Sequence, residues 1–129
     1  MFAPVIPWVN DAELEAVLKA ARDAGADSAG YVLLRLPHEV SPLFRDWLQT
    51  HLPQRAEHVM STVQQLRGGK DYDARFGKRF SGEGVYAQLL ARRFDLASKR
   101  LGFDRRKHQG LDASQFVPPR PPSAQGELF

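Results

Sequence analysis

The chain has 129 residues, a formal net charge of +3 and a hydrophobic content of 43%, which is enough for one domain with one core. It contains no cysteine, which excludes disulfides, cysteine-ligated zinc, iron–sulfur ligation and cysteine nucleophiles within the chain. Because no apolar run approaches the roughly 20 residues of a membrane helix and the first residues do not resemble a signal peptide, we expect a cytoplasmic protein with no membrane partner.

The charge is distributed unevenly along the chain. Residues 1–66 carry a net charge of −3, residues 67–107 carry +7, and residues 108–129 carry −1. Such an asymmetry is typical of a protein with a polyanionic partner, and it is equally typical of a solvated basic helix face. Composition alone leaves both interpretations open.

Two segments predict strands. Residues 2–6 are short and apolar, and Pro7 closes them, which favours a buried strand that ends at a turn. Residues 28–36 are apolar on both faces, as in a strand covered on both sides within a parallel sheet. With the helix predicted between them, these segments form a βαβ unit.

The helix between the two strands has signals at both ends. Asn10 is a good N-cap, and Glu13, three residues later, completes a capping box. Gly25 suits the C-terminal cap. The apolar stripe of this helix is Leu14, Val17, Leu18 and Ala21.

Three further amphipathic helices are predicted after the second strand. The first has Ser41 as its N-cap and Pro42 at its first helical position. The next follows Pro53, and its apolar stripe is Ala56, Val59, Met60, Val63 and Leu66. The last ends at Gly102, and the apolar residues expected on one side of it are Val85, Leu89, Leu90, Phe94, Ala97 and Leu101.

The inventory predicts an α/β domain over residues 1–107 and an irregular, Pro-rich, mobile tail over residues 108–129. Two parallel strands and four helices do not make a self-sufficient sheet, because a parallel strand that is apolar on both faces needs neighbours. We therefore expect the sheet to be completed either by another chain or by the rest of a longer protein that ends here.

The segments PVIPWVND, GYVLLRLP and LRGGKDYDARFGKRFSGEG occur in this order along the chain. Their succession resembles the C-terminal third of radical SAM proteins related to spore photoproduct lyase, the DNA repair photolyase-like proteins, from about residue 2 to about residue 104. The resemblance implies an incomplete (β/α) barrel fragment, in which one βαβ unit is followed by three helices and a long glycine-rich loop.

The resemblance also implies cofactors. Such enzymes bind S-adenosylmethionine and a [4Fe–4S] cluster, which a CxxxCxxC motif holds near the start of the core. That motif is absent here because the chain has no cysteine, so the chain is expected to hold no cofactor alone and to be inactive without the missing N-terminal radical SAM part. Trp8 departs from the family, which often has glycine at this position of the turn.

Ligands of parallel α/β folds lie beyond the carboxyl ends of the strands. Those ends are residues 7–10 and 35–39, so Asn10 and Arg35 are the polar side chains best placed to bind a cofactor. A structural role as a helix cap fully explains Asn10. For Arg35, an ion pair with Glu39 is as good an explanation as cofactor binding.

The glycine-rich segment, residues 66–84, holds five glycines, five basic residues and three aromatic residues. Loops of this length are uncommon unless they are functional or disordered. Basic side chains neutralise phosphates and aromatic rings stack on bases, which is typical of a surface for single strands or flipped bases. The candidate substrate- or nucleic-acid-binding residues are Lys70, Tyr72, Arg75, Lys78 and Arg79.

An alternative interpretation of the same segment is structural. Phe76 and Phe80 would anchor the loop to the core, and Asp71 and Asp73 would pair with its basic residues. A second basic run over residues 92–107 is typical of a solvated helix face, although together with residues 67–80 it also fits a small nucleic-acid-binding module.

The last residues, QGELF, resemble the peptide that docks in the pocket of the bacterial sliding clamp. Gln125 would make polar contacts, and Leu128 and Phe129 would insert, which makes an adaptor for the clamp a third hypothesis. The alternative is that this terminal pair packs on its own domain. The four histidines show no metal-binding spacing, so no metal site is predicted.

Overall fold

The computed structural model describes residues 1–74, 80–103 and 114–117, and its secondary structure is mixed α/β. The elements are β1 (Phe2–Val5), a 3-10 turn (Asp11–Glu13), α1 (Leu14–Asp23), β2 (Tyr31–Leu33), α2 (Val40–His51), α3 (Ala56–Gln65) and α4 (Gly84–Arg100). The predicted order of one strand–helix–strand unit followed by three helices is confirmed. None of the helices in the described ranges is long and apolar enough to cross a bilayer.

The strands β1 and β2 are adjacent and parallel, as predicted. Phe2 lies opposite Tyr31 and Val5 opposite Leu33, with an irregularity between the two pairs because β1 has one more residue than β2 in this interval. The second strand is much shorter than the predicted 28–36. Over the described residues the sheet consists of these two strands.

The far edge of β2 is contacted by the glycine-rich segment. The amide of Leu33 donates to the carbonyl of Phe80 (2.9 Å), while the next amide, Leu34, donates to the carbonyl of Val5 (3.0 Å). Successive amides of a strand point in opposite directions. The carbonyl of Phe80 therefore lies on the side of β2 away from β1, and this hydrogen bond joins the end of the glycine-rich segment to the sheet.

The first core lies between the sheet, α1 and α4. Leu14 and Leu18 of α1 are buried, one turn apart, as the predicted stripe requires. On α4, Phe94 is 2% exposed, and its ring lies 4.9 Å from that of Tyr31 on β2. These contacts hold α4 against the sheet.

The second core lies between α2 and α3. All five residues of the predicted α3 stripe are buried. Four of them belong to this second core, namely Ala56, Val59, Met60 and Val63, whereas Leu66 is buried in the first core. Leu48 of α2 and Leu36, which follows β2, complete this core. The end of β2 therefore lies between the two cores.

The apolar face predicted for α4 is partly wrong. Val85 and Leu89 are 83% and 55% exposed, whereas Ala87 and Leu90 are buried. At 3.6 residues per turn, Val85 and Leu89 lie on the side of the helix opposite to the buried residues. The helix carries apolar residues on two faces, and only one of them meets the sheet.

The capping box predicted at Asn10 is wrong. The side chain of Asn10 makes no helix-capping hydrogen bond. Instead its Oδ1 accepts from the amide of Ile6 (2.7 Å) and its Nδ2 donates to the carbonyl of Pro4 (3.0 Å). The side chain therefore fastens the turn after β1 and leaves the first turn of the following helix uncapped.

The predicted start of α2 is also wrong. The helix begins at Val40 with Glu39 as its N-cap, so Ser41 and Pro42 lie inside its first turn. The Ser41 hydroxyl donates to the carboxylate of Asp71 instead of capping the helix. The hydroxyl that the local pattern predicted to cap the helix is thus bonded to a residue 30 positions away.

Candidate functional site

Arg35 lies just beyond β2 and contacts both sides of the glycine-rich segment. Its Nη2 donates to the hydroxyl of Tyr72 (3.0 Å). Its guanidinium carbon lies 5.6 Å from the centre of the Tyr72 ring and 5.1 Å from that of Phe80. The buried Nε atom of Arg35 has no hydrogen-bond partner among the described residues. Arg35 thus pairs with two aromatic residues rather than with Glu39.

Arg67 is a buried cation beside Arg35 that the sequence-based site did not include. Its residue is 3% exposed, and its Nη2 donates to the carbonyl of Leu34 (2.9 Å). Burial, and then the charge of Arg35, lower the pKa of Arg67, while the carboxylate of Asp73 opposes this effect. The one signal in the sequence is that Arg67 directly follows Leu66, the last residue of the buried α3 stripe.

A cleft of about 520 Å³ opens beside these residues, and we call it the strand-end cleft. It is lined by Arg67, Gly68, Lys70, Tyr72, Asp73 and Ala74. Two cations, one carboxylate and one phenol ring thus share a concave surface, and Arg35 contacts that ring. This combination suits an anionic ligand that also presents a planar group.

Asp71 fixes the glycine-rich segment to α2 and α3. Its carboxylate accepts from the hydroxyl of Ser41, from Nη2 of Arg45 (2.8 Å) and from Nε2 of Gln64 (2.9 Å). These hydrogen bonds, that of Ser41 foremost, lower the pKa of Asp71. The partners of Asp71 among the described residues thus lie on α2 and α3, and its predicted pairing with Arg75, Lys78 or Arg79 stays a prediction because those residues lie outside the described ranges. The hydrogen bonds of Asp71 hold the next residue, Tyr72, in the strand-end cleft.

The end of β1 carries an aromatic cluster around Trp8. The indole Nε1 donates to Oγ1 of Thr62 (2.9 Å), and the indole ring lies 4.5 Å from that of His58 and 6.0 Å from that of Tyr86. Trp8 adopts a left-handed backbone conformation, with φ of 62°. A tight turn forms here although the residue is not glycine.

Asn10 belongs to the same turn. The amides of Val9 and Asn10 both donate to the carbonyl of Ile6 (3.2 Å each), and the Asn10 side chain binds the backbone on the strand side. The structure thus gives Asn10 a role in holding the turn. Binding of a cofactor by Asn10 stays a prediction.

Part of the second basic run ties α4 to α1. Arg93 donates to both carboxylate oxygens of Glu15 (2.9 and 2.7 Å) and to the carbonyl of Asp11 (3.1 Å). Beside it, the hydroxyl of Tyr86 donates to Oδ2 of Asp11 (2.6 Å). Burial, followed by this carboxylate, raises the pKa of Tyr86 well above its usual value. Arg93 is therefore engaged within the fold.

The structure brings only some of the predicted site residues together. Lys70 and Tyr72 line the strand-end cleft, and Phe80 lies against Arg35 with 41% of its surface exposed. The remaining candidates lie outside the described residues: Arg75, Phe76, Lys78, Arg79, Gln125, Leu128 and Phe129. The boundary predicted between residues 107 and 108 lies outside them as well.

The described side chains offer neither a metal site nor a cluster site. In the ranges that the structure describes, no group of three or more His, Cys, Asp or Glu residues lies in position to hold a metal ion. Since the chain has no cysteine, its residues do not fit a [4Fe–4S] cluster held by thiolates.

Comparison with models of known protein families, with curated proteins and with solved structures gave no match for this chain. A function can therefore be inferred only from the geometry at the ends of the two strands and from the resemblance in three sequence segments.

Proposed function

We propose that this chain is the C-terminal part of a radical SAM enzyme related to spore photoproduct lyase. In this proposal it contributes two barrel strands and a substrate-facing surface, and it is not catalytic alone. The observation that carries the proposal is the parallel pairing of β1 with β2, together with Arg35, Tyr72 and Phe80 gathered where β2 ends. In parallel α/β folds this end of the strands is where ligands bind.

The exposed side of β1 supports the same proposal. Ala3 and Pro4 are exposed, and β1 pairs with only one strand among the described residues. Parallel strands are usually covered on both faces and flanked on both edges. A further strand beside β1, supplied by the rest of a barrel, would cover this edge.

The proposal assigns the cofactors to both parts of the enzyme. The cluster requires cysteines from outside these 129 residues. S-adenosylmethionine, when bound, would supply the radical that starts the reaction. Arg35, whose buried Nε atom has no hydrogen-bond partner within the described part of the chain, is the residue that we assign to an anionic group of the cofactor or substrate. Its position is set by Tyr72 and Phe80.

The nucleotide sequence upstream of the Met1 codon tests this proposal. The proposal requires either a continuous reading frame or an adjacent gene that encodes a CxxxCxxC motif followed by alternating strands and helices. An upstream frame closed by stop codons, with no such gene beside it, would contradict the proposal.

A second candidate function is the binding of single-stranded nucleic acid by the strand-end cleft. The observation that favours it is the placement of Arg67 and Lys70 beside Tyr72 in one concave surface. Cations contact the phosphates of a single strand and aromatic rings stack on its bases, with little dependence on sequence. Lys70 is exposed and Phe80 is partly exposed, so both are accessible to such a ligand.

Fluorescence anisotropy with a labelled twelve-residue oligothymidylate tests this second function. We expect the affinity to fall as salt rises, and Lys70→Ala to weaken binding and reduce the salt slope by about 0.7, the value for one phosphate contact on a single strand. Lys99→Ala, at an exposed lysine in the last turn of α4, is the matched control. If Lys99→Ala weakens binding and Lys70→Ala does not, α4 rather than the cleft is the contact surface.

A further inference from the structure

Trp8 combines exposure with an unfavourable backbone conformation. Its residue is 45% exposed, and its φ of 62° lies in the left-handed region. That region costs an ordinary residue about 1–2 kcal/mol, whereas glycine adopts it freely. Backbone strain of this kind clusters at ligand-binding positions. The position therefore carries a large ring where glycine would relieve the backbone.

The indole of Trp8 is held in a fixed orientation. The Oγ1 atom of Thr62, which accepts its Nε1–H, belongs to a residue that is 5% exposed and donates in turn to the carbonyl of His58 (2.9 Å). The rings of His58 and Tyr86 lie beside the indole. An aromatic side chain that is already rigid and exposed loses little entropy when a planar ligand stacks on it.

Trp8 lies at the same end of the sheet as Arg35. Because β1 and β2 are parallel and Val5 lies opposite Leu33, the residues that follow these two leave the sheet at the same edge. A cation also lies beside Trp8, since Nη1 of Arg55 donates to the Trp8 carbonyl (3.3 Å). At the end of β1 an exposed ring and a guanidinium therefore lie at the same turn, although Arg55 contacts the backbone of Trp8 whereas Arg35 contacts rings directly.

We infer that Trp8 is a base-stacking platform, which extends the nucleic-acid surface from the strand-end cleft to the end of β1. A base of the single strand stacks on the exposed indole, and Arg55 contacts a neighbouring phosphate. This inference rests on the nucleic-acid-binding function proposed above. It does not come from the family resemblance, since Trp8 stands where those proteins often have glycine.

The experiment uses the full chain with Trp47→Phe, which leaves Trp8 as its single tryptophan because the chain has two. The probes are the twelve-residue oligothymidylate and an abasic oligonucleotide of the same length. We expect the oligothymidylate to quench Trp8 emission on binding. We expect the abasic strand to bind through its phosphates without quenching.

Trp8→Gly gives a second, independent measurement, because glycine keeps the left-handed turn while removing the ring. We expect its dissociation constant for the oligothymidylate to rise about 5- to 150-fold, as for loss of one stacked base. Trp47→Ala, which removes a tryptophan of similar exposure (42%) from α2, is the control and leaves the constant unchanged. Circular dichroism confirms that both variants fold.

The outcomes distinguish the role of Trp8 from the nucleic-acid-binding function of the strand-end cleft. Binding of the oligothymidylate with unchanged Trp8 emission, or with equal affinity in Trp8→Gly, overturns the role of Trp8 and leaves the function of the cleft standing. Equal quenching by both strands also overturns it, since the base is then not the group that contacts the indole. Absence of any binding overturns both proposals.

Discussion

The guanidinium of Arg35 and the hydroxyl of Tyr72 form a hydrogen bond of 3.0 Å between residues 37 positions apart. It joins the end of β2 to the first part of the glycine-rich segment. The same guanidinium lies against the ring of Phe80, whose carbonyl accepts from the β2 backbone. Arg35 therefore organises both sides of the segment around the end of one strand.

Arg35→Lys should weaken both the fold and the binding of the oligothymidylate. Lysine keeps the charge but loses the planar group that contacts two rings and the donor to Tyr72. We expect the free energy of unfolding, measured in urea, to fall by about 1 kcal/mol, and the affinity for the oligonucleotide to fall several-fold.

Arg22→Lys is the matched control for this change. The Arg22 guanidinium also lies over an aromatic ring, that of Phe103 (5.8 Å), and donates to a backbone carbonyl, that of Ala26 (2.9 Å). Since Arg22 belongs to α1, a similar loss of stability with unchanged affinity is expected. An equal loss of affinity in both variants would show that the effect at Arg35 is only a loss of stability.

Asp71→Asn should destabilise the protein by about 1–2 kcal/mol, because a carboxylate that accepts from Ser41, Arg45 and Gln64 loses its charge. The measurement is urea unfolding at neutral pH. Asp23→Asn is the control: its ion pair with Lys19 is exposed, with side chains 62% and 67% accessible, and should change stability by less than about 0.5 kcal/mol. Equal losses of unfolding free energy at the two positions would show that the hydrogen bonds of Asp71 stabilise the protein no more than an exposed ion pair does.

The contribution of Asp71 should also depend on pH. Its pKa is lowered in the folded state, so the folded protein binds this proton less readily than the unfolded chain does. The stabilisation is therefore complete above about pH 4, the usual pKa of aspartate, and is lost as the pH falls through the lowered value. The difference in unfolding free energy between the native protein and Asp71→Asn should shrink in acid. A difference that stays constant down to pH 2 would contradict this.

Gly82→Ala should destabilise the protein by about 2–4 kcal/mol. Gly82 has φ of 70°, and an added Cβ would lie 3.0 Å from Cδ1 of Leu33 and 3.3 Å from Cδ2 of Leu66. At Gly25, φ is 92° but nothing lies within 4 Å of an added Cβ, so Gly25→Ala should cost only the backbone strain, about 1–2 kcal/mol. Thermal and urea unfolding of the two variants separate crowding from strain, and equal losses would show that the close packing of Gly82 carries no cost.

The extent to which the sequence predicts this fold depends on how local each signal is. The stripe of α3 is predicted fully because its apolar residues occupy one face only. Helix α4 has apolar residues on two faces, and periodicity cannot say that Leu90 meets the sheet while Leu89 faces solvent. The caps at Asn10 and Ser41 are predicted wrongly because both side chains have partners outside the helix.

The candidate site shows the same division. Composition identifies Lys70 and Tyr72, because glycine, basic and aromatic residues are concentrated in one segment. The burial of Arg67 and the contact of Arg35 with Phe80 depend on residues far apart in the chain. The sequence shows Trp8 only as an unusual residue at a turn. Its fixed orientation depends on a hydrogen bond to Thr62 of α3, which is far away in the chain.

Binding of a ligand where β1 and β2 end can be observed residue by residue in an NMR titration of the ¹⁵N-labelled chain with the twelve-residue oligothymidylate. We expect the amide signals of Trp8, Arg35, Lys70 and Tyr72 to shift together in a saturable way, while those of Lys99 and Arg100 on α4 stay in place. Shifts confined to α4, or no shifts at millimolar oligonucleotide, would contradict it.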